Sequence, residues 1–305
     1  MPLAHYPVFD LKPEWVRAEE TMGSKRKYWV DASAEQQWLF KFARVNSGVP
    51  TGEHWAEKIA SHVAKCMGLP HAQVELATLE GRNGSLSLRF SELSNPGTAL
   101  VHGNVLRPGQ VLGYDPEKKH RQSDHTLGNI LRVMDHVFAE GADRKKALDT
   151  FMGYLVLDAL VMNTDRHHEN WALVRYTSST GMEEHGLAPT FDHASSLGRE
   201  LTEEKIQSRA HDKEAVARYV AKARGAIYRL NTDERGLSPM ELVSLALRMK
   251  GDHVRPWLEC MHTLDPQTLV DIVARVPPTV MSDRHRSFAS ELLKYTLNRL
   301  QHLDA

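Results

Sequence analysis

Hydrophobic and polar positions alternate with a period of two in four short segments of the first third of the chain, as they do in β-strands. These segments are residues 27–31, 38–44, 72–80 and 84–90. Between the second and third segments, residues 52–70 place an apolar side chain at every fourth position and end at Gly68 and Pro70, which is typical of a helix. The pattern therefore predicts a small sheet with one helix.

The hydrophobic pattern changes near residue 98, after which most apolar positions recur with the period of a helix. Helices are predicted at residues 123–139, 144–162, 202–209, 212–230 and 238–250, with several short helices after them. One β-hairpin interrupts this region, with strands predicted at 171–176 and 186–192. We therefore predict an α+β fold with two lobes, a small mixed α/β N-lobe at residues 1–98 and a larger, mostly helical C-lobe at residues 99–305.

The composition is that of a globular protein. Of 305 residues, 41 % are hydrophobic and 25 % are charged, and the formal net charge is −1, which argues against disorder and against a general nucleic-acid-binding surface. The sequence has no apolar run of about 18 residues to span a membrane and begins without a secretion signal, so we expect a cytoplasmic protein with no membrane contact. The two cysteines, Cys66 and Cys260, lie in helical patterns, and we expect both to be buried free thiols.

A dense polar motif, NTDRHHENWALV (163–174), directly follows the apolar helix predicted at 144–162. Asp165 and Asn170 are five residues apart, and Asp192 comes after the hairpin. Phosphoryl transfer from Mg-ATP requires such a set, namely an Asp that takes the proton of the acceptor hydroxyl, and an Asn and a second Asp that bind Mg²⁺. The motif therefore indicates a kinase in which Asp165 is the catalytic base and Asn170 and Asp192 hold the metal.

The two histidines of the motif suggest a different site at first sight. His167, His168 and Glu169 could be ligands of zinc, but adjacent residues point apart and the spacing is not H-E-x-x-H. We expect one of these histidines to pack against the catalytic loop instead.

A kinase of this kind should hold ATP in its N-lobe. Lys41 lies on the face of strand 38–44 opposite three aromatic residues, where it can reach the phosphates, and a lysine in such an apolar strand is costly to leave unpaired. Glu57 on the following helix is the candidate partner of Lys41. Glu53 is the alternative, but Glu57 lies within the apolar register of the helix rather than at its start.

The phosphates of ATP also need a loop rich in hydrogen-bond donors. Residues 21–30 provide one, in which Gly23 permits close approach of the backbone, Ser24 donates, and three successive basic residues ending at Lys27 offset phosphate charge. The segment does not have the G-x-G-x-x-G pattern. The adenine ring is expected near residues 89–93.

Five segments of the chain resemble the HipA-like family of Ser/Thr kinases, which are bacterial toxin kinases. The segments are GSKRK, FKF, AKCMGLPHAQVELA, NTDRHHENWALV and PTFDHASSLG, in family order and spanning most of residues 20–200. The resemblance implies a bilobal fold like that of protein and phosphatidylinositol kinases, contact of Lys41 with ATP, and the roles given above for Asp165, Asn170 and Asp192. It also implies a Ser/Thr-containing protein substrate and the possibility of an antitoxin protein as partner.

The chain departs from the family pattern in two respects. The longer toxins carry an extra N-terminal subdomain for which about 20 residues before the phosphate loop leave no room, so the chain resembles the compact, single-module members. In some members a serine before the phosphate loop is autophosphorylated, which silences the enzyme. The comparable stretch here is AEETMG (18–23), where Thr21 or Ser24 could take that part.

Three other interpretations stay open. The loop DRHHEN also looks like that of phosphatidylinositol kinases, so the substrate could be a lipid or a small molecule. The chain could also be a nucleotide-binding pseudokinase that acts as an interaction module. Residues 211–230 form a basic amphipathic pattern that could contact nucleic acid, but we expect a solvated helix there and no direct nucleic-acid partner.

Overall fold

The fold combines a sheet-rich part with a helical part, as the sequence predicts. It is known from a computed structural model, which describes residues 3–20, 26–33, 36–90, 97–106, 114–118, 121–138, 140–177, 181–208 and 214–303.

A six-stranded sheet forms most of the N-terminal part. Its strands are β1 (Val8–Leu11), β2 (Val16–Glu20), β3 (Lys27–Ser33), β4 (Gln36–Phe42), β7 (Val74–Leu79) and β8 (Arg82–Leu88), and β5 (Val45–Asn46) and β6 (Val49–Pro50) form a separate two-stranded ribbon. The strand order is β1-β7-β8-β4-β3-β2, with β1 parallel to β7 and all other neighbours antiparallel. Strand β4 therefore lies in the middle of the sheet, where both of its edges are paired.

The helix of the N-terminal part is α1 (Glu53–Cys66), which begins close to where the sequence predicts it. Trp55, Ile59, Val63 and Met67 are all buried, which confirms the face read from the apolar pattern. The polar residues of its first two turns are buried as well, because α1 packs against β7 and β8 on one side and against helices of the C-terminal part on the other. The helix ends where Gly68 takes a left-handed conformation, with φ of 71°.

The C-terminal part is built around one buried helix. Its helices are α2 (Gly103–Leu106), α3 (Leu127–Val137), α4 (Ala142–Val161), α5 (Glu203–Gln207), α6 (Ala215–Lys222), α7 (Pro239–Thr263), α8 (Pro266–Ala274) and α9 (Asp283–Gln301). Helix α4 is buried over almost its whole second half and packs against α7 and α9. Its end is fixed by Met162, which has φ of 55°, so the chain turns sharply into the polar motif.

A three-stranded sheet carries the predicted hairpin. Strands β10 (Ala172–Thr177) and β11 (Glu183–Leu187) form the predicted hairpin, but the second strand begins and ends earlier than the predicted 186–192, so Asp192 lies beyond it. Strand β9 (Ala99–His102), which the sequence analysis did not predict, pairs with the other edge of β10. The polar motif thus runs from the end of α4 into β10, the middle strand of this sheet. The division of the chain into lobes at residue 98 stays a prediction.

Three helix predictions and the prediction for the cysteines are wrong in detail. Helix α6 ends at Lys222 rather than 230, because the chain turns back and the N–H of Tyr228 donates to the carbonyl of His125. Helix α7 continues to residue 263 across a kink at Lys250, and α9 is a single helix of 19 residues rather than several short ones. Cys66 is exposed because it lies on the outward face of the last turn of α1, and Cys260 is only partly buried, although both are free thiols.

Within the part of the chain that the structure describes, none of the helices has the length and apolar character needed to cross a membrane.

Candidate active site

A cleft of about 920 Å³ lies between the six-stranded sheet and the polar motif. Five residues that the sequence analysis selected line this cleft together: Lys27, Lys41, Asp165, Asn170 and Asp192. Lys27 and Lys41 come from neighbouring strands and are directly paired in register, whereas the other three come from the C-terminal part. Folding therefore brings together groups that are more than 100 residues apart in the sequence.

Lys41 is the cation at the centre of this cleft. Its Nζ lies 3.2 Å from Oδ2 of Asp192 and 4.0 Å from Oε1 of Glu57, while Phe40 and Phe42 on the opposite face of β4 pack into the core of the sheet. Burial disfavours the charged form of Lys41, but the carboxylates of Asp192 and Glu57 outweigh this effect and raise its pKa above the ordinary value. Lys41 therefore stays an ammonium ion and can bind an anion.

The two carboxylates at the start of α1 have different partners. Glu57 is almost completely buried and faces Lys41, whereas Glu53 lies 3.0 Å from the guanidinium of Arg199 and accepts a hydrogen bond from the backbone N–H of Arg44. Helix α1 has 3.6 residues per turn, so these two side chains lie one turn apart and face different parts of the cleft wall. The geometry favours Glu57 over Glu53 as the partner of Lys41.

The loop that follows α4 is held in shape by hydrogen bonds. The amide Nδ2 of Asn170 donates to the backbone carbonyl of Asp165 at 2.6 Å, and the N–H of Asp165 donates to Oδ1 of Asn163 at 3.2 Å. The hydroxyl of Ser195 donates to the carboxylate of Asp165 at 3.5 Å. These contacts hold the carboxylate of Asp165 and the amide of Asn170 at the same side of the cleft.

Arg166 anchors the loop to helix α4. The sequence analysis did not select this residue. Its guanidinium donates to both carboxylate oxygens of Asp158 in α4, to the carbonyl of Asn170 at 2.7 Å and to Nε2 of His193 at 3.0 Å. A signal was present in the sequence, since Asp158 is a single acidic residue in the apolar run LVLDALV and a buried carboxylate requires a cation.

Asp192 is held in an unusual conformation. Its φ is 57°, a left-handed value that costs on the order of 1 kcal/mol or more for a residue with a side chain, and such strain is common at functional sites. The next residue, His193, is buried, and its burial together with the charge of Arg166 lowers its pKa well below the ordinary value. His193 is therefore neutral and can accept the hydrogen bond from Arg166.

The two histidines of the motif have different surroundings. His168 is buried and its Nδ1 forms a hydrogen bond with the hydroxyl of Tyr114, so this is the histidine that packs against the loop carrying Asp165. His167 lines the cleft and also a smaller cavity of about 120 Å³ on the other side of Asp165.

One end of the cleft is apolar and aromatic. Phe191 makes edge-to-face contacts with Phe90 and His102, at centroid distances of 6.0 and 5.8 Å, and Leu100 lines the same region. Nδ1 of His102 lies 2.7 Å from the carbonyl of Glu169, and burial lowers the pKa of this histidine. The end of the cleft thus offers flat apolar surface of the kind that a purine base binds.

The structure describes only part of the predicted phosphate loop. Gly23 and Ser24, together with Thr21, lie outside the described residues, as do residues 91–93 of the segment expected near adenine. Lys27 lies in the cleft wall, where the sequence analysis placed it. Arg89 and Phe90 of the segment expected near adenine line the cleft, as do two arginines that the sequence analysis did not select, Arg17 and Arg44.

The donor atoms present fit Mg²⁺. Asn170 and Asp192 offer an amide oxygen and a carboxylate, which are hard oxygen ligands of the kind Mg²⁺ prefers. Because Nδ2 of Asn170 is used in the bond to Asp165, its Oδ1 is directed away from that carbonyl. Mg²⁺ keeps several of its waters and needs few protein ligands, so these two side chains could hold it beside a polyphosphate.

Two of the solved structures that match this chain illustrate the similarity in fold. The crystal structure of the Helicobacter pylori proinflammatory kinase CtkA aligns with a TM-score of 0.77 and 18 % sequence identity, covering 97 % of this chain and 98 % of that chain. A chain in the complex of HipA, HipB and operator DNA from the Shewanella oneidensis MR-1 toxin-antitoxin system aligns with a TM-score of 0.53 and 13 % sequence identity. The alignment covers 97 % of this chain and 70 % of that chain. These likenesses confirm the predicted kinase-like fold with a sheet-rich lobe and a helical lobe.

The sequence comparisons give one match. A search of curated proteins finds no similar sequence, whereas the family model of the HipA-like C-terminal domain matches residues 19–249. This range contains all the cleft residues discussed above except Arg17. Because the match covers about three quarters of the sequence, this chain belongs to the HipA-like C-terminal domain family.

Proposed function

We propose that this chain is a kinase that transfers the γ-phosphoryl group of Mg-ATP to a serine or threonine of a protein. The observation that carries the proposal is the convergence of Lys41, Asp165, Asn170 and Asp192 on one cleft. Phosphoryl transfer depends mainly on positioning and on stabilising charge, and this cleft offers a buried ammonium, a carboxylate and two oxygen ligands for a metal.

The residues divide the work of the reaction between them. Lys41, oriented by Glu57, pairs with the phosphates, and the aromatic end of the cleft near Phe191 receives the base. The acceptor hydroxyl oxygen bonds to the γ-phosphorus, the bond from that phosphorus to the bridging oxygen breaks, and ADP leaves with the electron pair. The hydroxyl proton passes to the carboxylate of Asp165.

Asn170 and Asp192 would hold Mg²⁺, which offsets negative charge on the transferred group when it is bound. Nζ of Lys41 lies 3.2 Å from Oδ2 of Asp192, and a nucleotide with Mg²⁺ would give both side chains new partners. The four groups are therefore arranged so that binding replaces one ion pair by several.

The Shewanella relative in the comparison was solved with HipB and operator DNA. On that ground alone we propose an antitoxin protein as a partner of this chain. The kinase proposal does not depend on such a partner.

The test is incubation of the purified chain with Mg-ATP labelled in the γ-phosphate, alone, with a cell lysate, and with vesicles that contain phosphatidylinositol. Asp165→Asn and Asp192→Ala should both abolish labelling of protein. Asp252→Asn, at a residue whose side chain is 98 % exposed, is the matched control and should label as the wild type does.

The three incubations distinguish a protein kinase from a lipid kinase and from a pseudokinase. Label that enters only the lipid fraction would replace the protein substrate by a lipid. Binding of Mg-ATP, seen as a thermal shift, without transfer to any acceptor would make the chain a pseudokinase. Full labelling by Asp165→Asn would show that another group is the base.

A further inference from the structure

A chain of contacts connects the base in the cleft to the first turn of α1. The hydroxyl of Ser195 donates to Oδ2 of Asp165 at 3.5 Å and accepts a hydrogen bond from the guanidinium of Arg199 at 3.1 Å. A second nitrogen of Arg199 lies 3.0 Å from Oε1 of Glu53. The relay Glu53–Arg199–Ser195–Asp165 therefore crosses from the N-terminal helix to the catalytic loop.

Both ends of this relay are fixed by the backbone. The N–H of Gly52 donates to the carbonyl of Arg199 at 2.8 Å, and the N–H of Thr164 donates to the carbonyl of Ser195 at 3.2 Å. The side chain of Glu53 is only 4 % exposed and that of Arg199 is 16 % exposed, so their interaction is little weakened by solvent. Ser195 thus has little freedom to move away from Asp165.

This arrangement argues for a role in holding the base. A carboxylate must be oriented to within fractions of an ångström to take a proton in phosphoryl transfer, and in a cleft without substrate such contacts are often long and tighten on binding. Because the hydroxyl oxygen of Ser195 accepts from Arg199, its proton is left to face Asp165.

We propose that Ser195, held by Arg199 and Glu53, is a positioning residue for the carboxylate of Asp165. Helix α1 then orients two groups of the site at once, Lys41 through Glu57 and Asp165 through Glu53. The inference rests on the proposed kinase function. It predicts that damage at Ser195 lowers the rate of transfer and leaves the affinity for ATP unchanged, because Ser195 does not line the cleft in which the nucleotide is proposed to bind.

The experiment compares neighbouring serines. Ser195→Ala, Ser195→Thr and Ser196→Ala are assayed for kcat and KM with labelled Mg-ATP, as transfer to protein and as release of inorganic phosphate. Ser196 is the matched control, since its hydroxyl is buried and has no hydrogen-bond partner in the part of the chain that the structure describes. Thermal unfolding of each variant shows that all of them are folded.

Ser195→Ala should lower kcat by about ten- to a hundredfold with KM for ATP unchanged, which is the range for a hydrogen bond to a charged group. Ser195→Thr, which keeps the hydroxyl, should recover most of the rate, and Ser196→Ala should stay within about twofold of the wild type. Glu53→Gln should also lower kcat, and its effect should not multiply with that of Ser195→Ala in the double variant, because both act through one relay.

Two results would overturn the inference by itself. One is a wild-type kcat for Ser195→Ala in a chain whose wild type transfers phosphate. The other is an equal loss in Ser195→Ala and Ser196→Ala, which would indicate a general effect of packing. If the wild type neither phosphorylates any acceptor nor hydrolyses ATP, the proposed kinase function is wrong, and the positioning role of Ser195 is wrong with it.

Discussion

Arg166 places two guanidinium nitrogens 2.7 Å from the two carboxylate oxygens of Asp158, and both side chains are only 3 % exposed. Arg166 belongs to the loop that follows α4, and Asp158 belongs to the buried helix α4 itself. The apolar helix and the polar motif next to it therefore act as one structural unit. The helix is a rigid support, and one buried ion pair orients the loop on it.

Removing one partner of this pair should strongly destabilise the fold. We expect Arg166→Ala to lower the free energy of unfolding by about 3–5 kcal/mol, because the carboxylate of Asp158 would stay buried without its cation. Urea unfolding measures this loss. Arg175→Ala is the control, since Arg175 forms an exposed ion pair with Glu183 at 3.8 Å and should change stability by less than about 1 kcal/mol.

A paired replacement separates charge from shape. Arg166→Met combined with Asp158→Leu removes both charges of this buried pair, so the double variant should be more stable than Arg166→Ala. It should transfer phosphate slowly, because the loop has lost its ion pair with α4. A double variant as unstable as Arg166→Ala would mean that the hydrogen bonds of Arg166 to Asn170 and His193, rather than the ion pair, carry the stability.

Lys41 should contribute to the binding of Mg-ATP. Lys41→Met removes the cation that faces Asp192 and Glu57, and we expect the affinity for Mg-ATP to fall at least about tenfold, since phosphate loses its buried ammonium partner. Isothermal titration with Mg-ATP checks this value. Lys294→Met, at an exposed lysine paired with Glu291, should bind as the wild type does; equal binding by both variants would remove Lys41 from the nucleotide site.

The sequence allowed the central part of the site to be selected because its residues lie next to regular elements. Lys41 could be found from the alternation in one strand, and Asp165, Asn170 and Asp192 from their spacing around a predicted hairpin. The geometry brings all four to one cleft, although their chemical roles stay predictions. Sequence spacing worked here because a loop and a hairpin constrain distances over short stretches of chain.

What the sequence did not show depends on contacts between distant segments. Strands β1 and β2 are mostly exposed and lack alternation, so only their pairing with the sheet makes them strands. Arg166 was passed over because its partners, Asp158 and His193, lie on different elements. The early end of α6 arises likewise from a backbone bond between Tyr228 and His125, which no local pattern encodes.

Stability should fall in mild acid because of a buried histidine. Burial lowers the pKa of His54 to about 4, against an ordinary value of 6.5. Between these two values the unfolded chain binds a proton at His54 and the folded chain does not, so the stability from neutral His54 is full above about pH 6.5 and is lost as the pH falls towards 4. The total is about 3 kcal/mol for one histidine.

The measurement is the slope of unfolding free energy against pH from 7 to 4. The slope reports how many more protons the unfolded chain binds than the folded chain. In His54→Gln this number should be smaller by close to one than in the wild type, whatever the stability of the variant at neutral pH. His302→Gln, at an exposed histidine near the end of α9, should keep the slope of the wild type. A slope that does not change in His54→Gln would mean that His54 is protonated in the folded chain at pH 6.

Gly84 offers a last test, because it connects the packing of the sheet to the position of Lys41. It pairs with Phe42 across β4 and β8, and a methyl group on it would approach the backbone carbonyl of Lys41 to 2.4 Å and the ring of Phe40 to 2.5 Å. A central strand with both edges paired cannot move away, so Gly84→Ala should cost about 1–3 kcal/mol of stability and also weaken binding of Mg-ATP. Gly186→Ala, where nothing lies within 4 Å, should stay within about 1 kcal/mol and bind normally. If Gly84→Ala loses stability but keeps its affinity for Mg-ATP, the position of Lys41 is set by its ion pairs with Asp192 and Glu57 rather than by the register of the sheet.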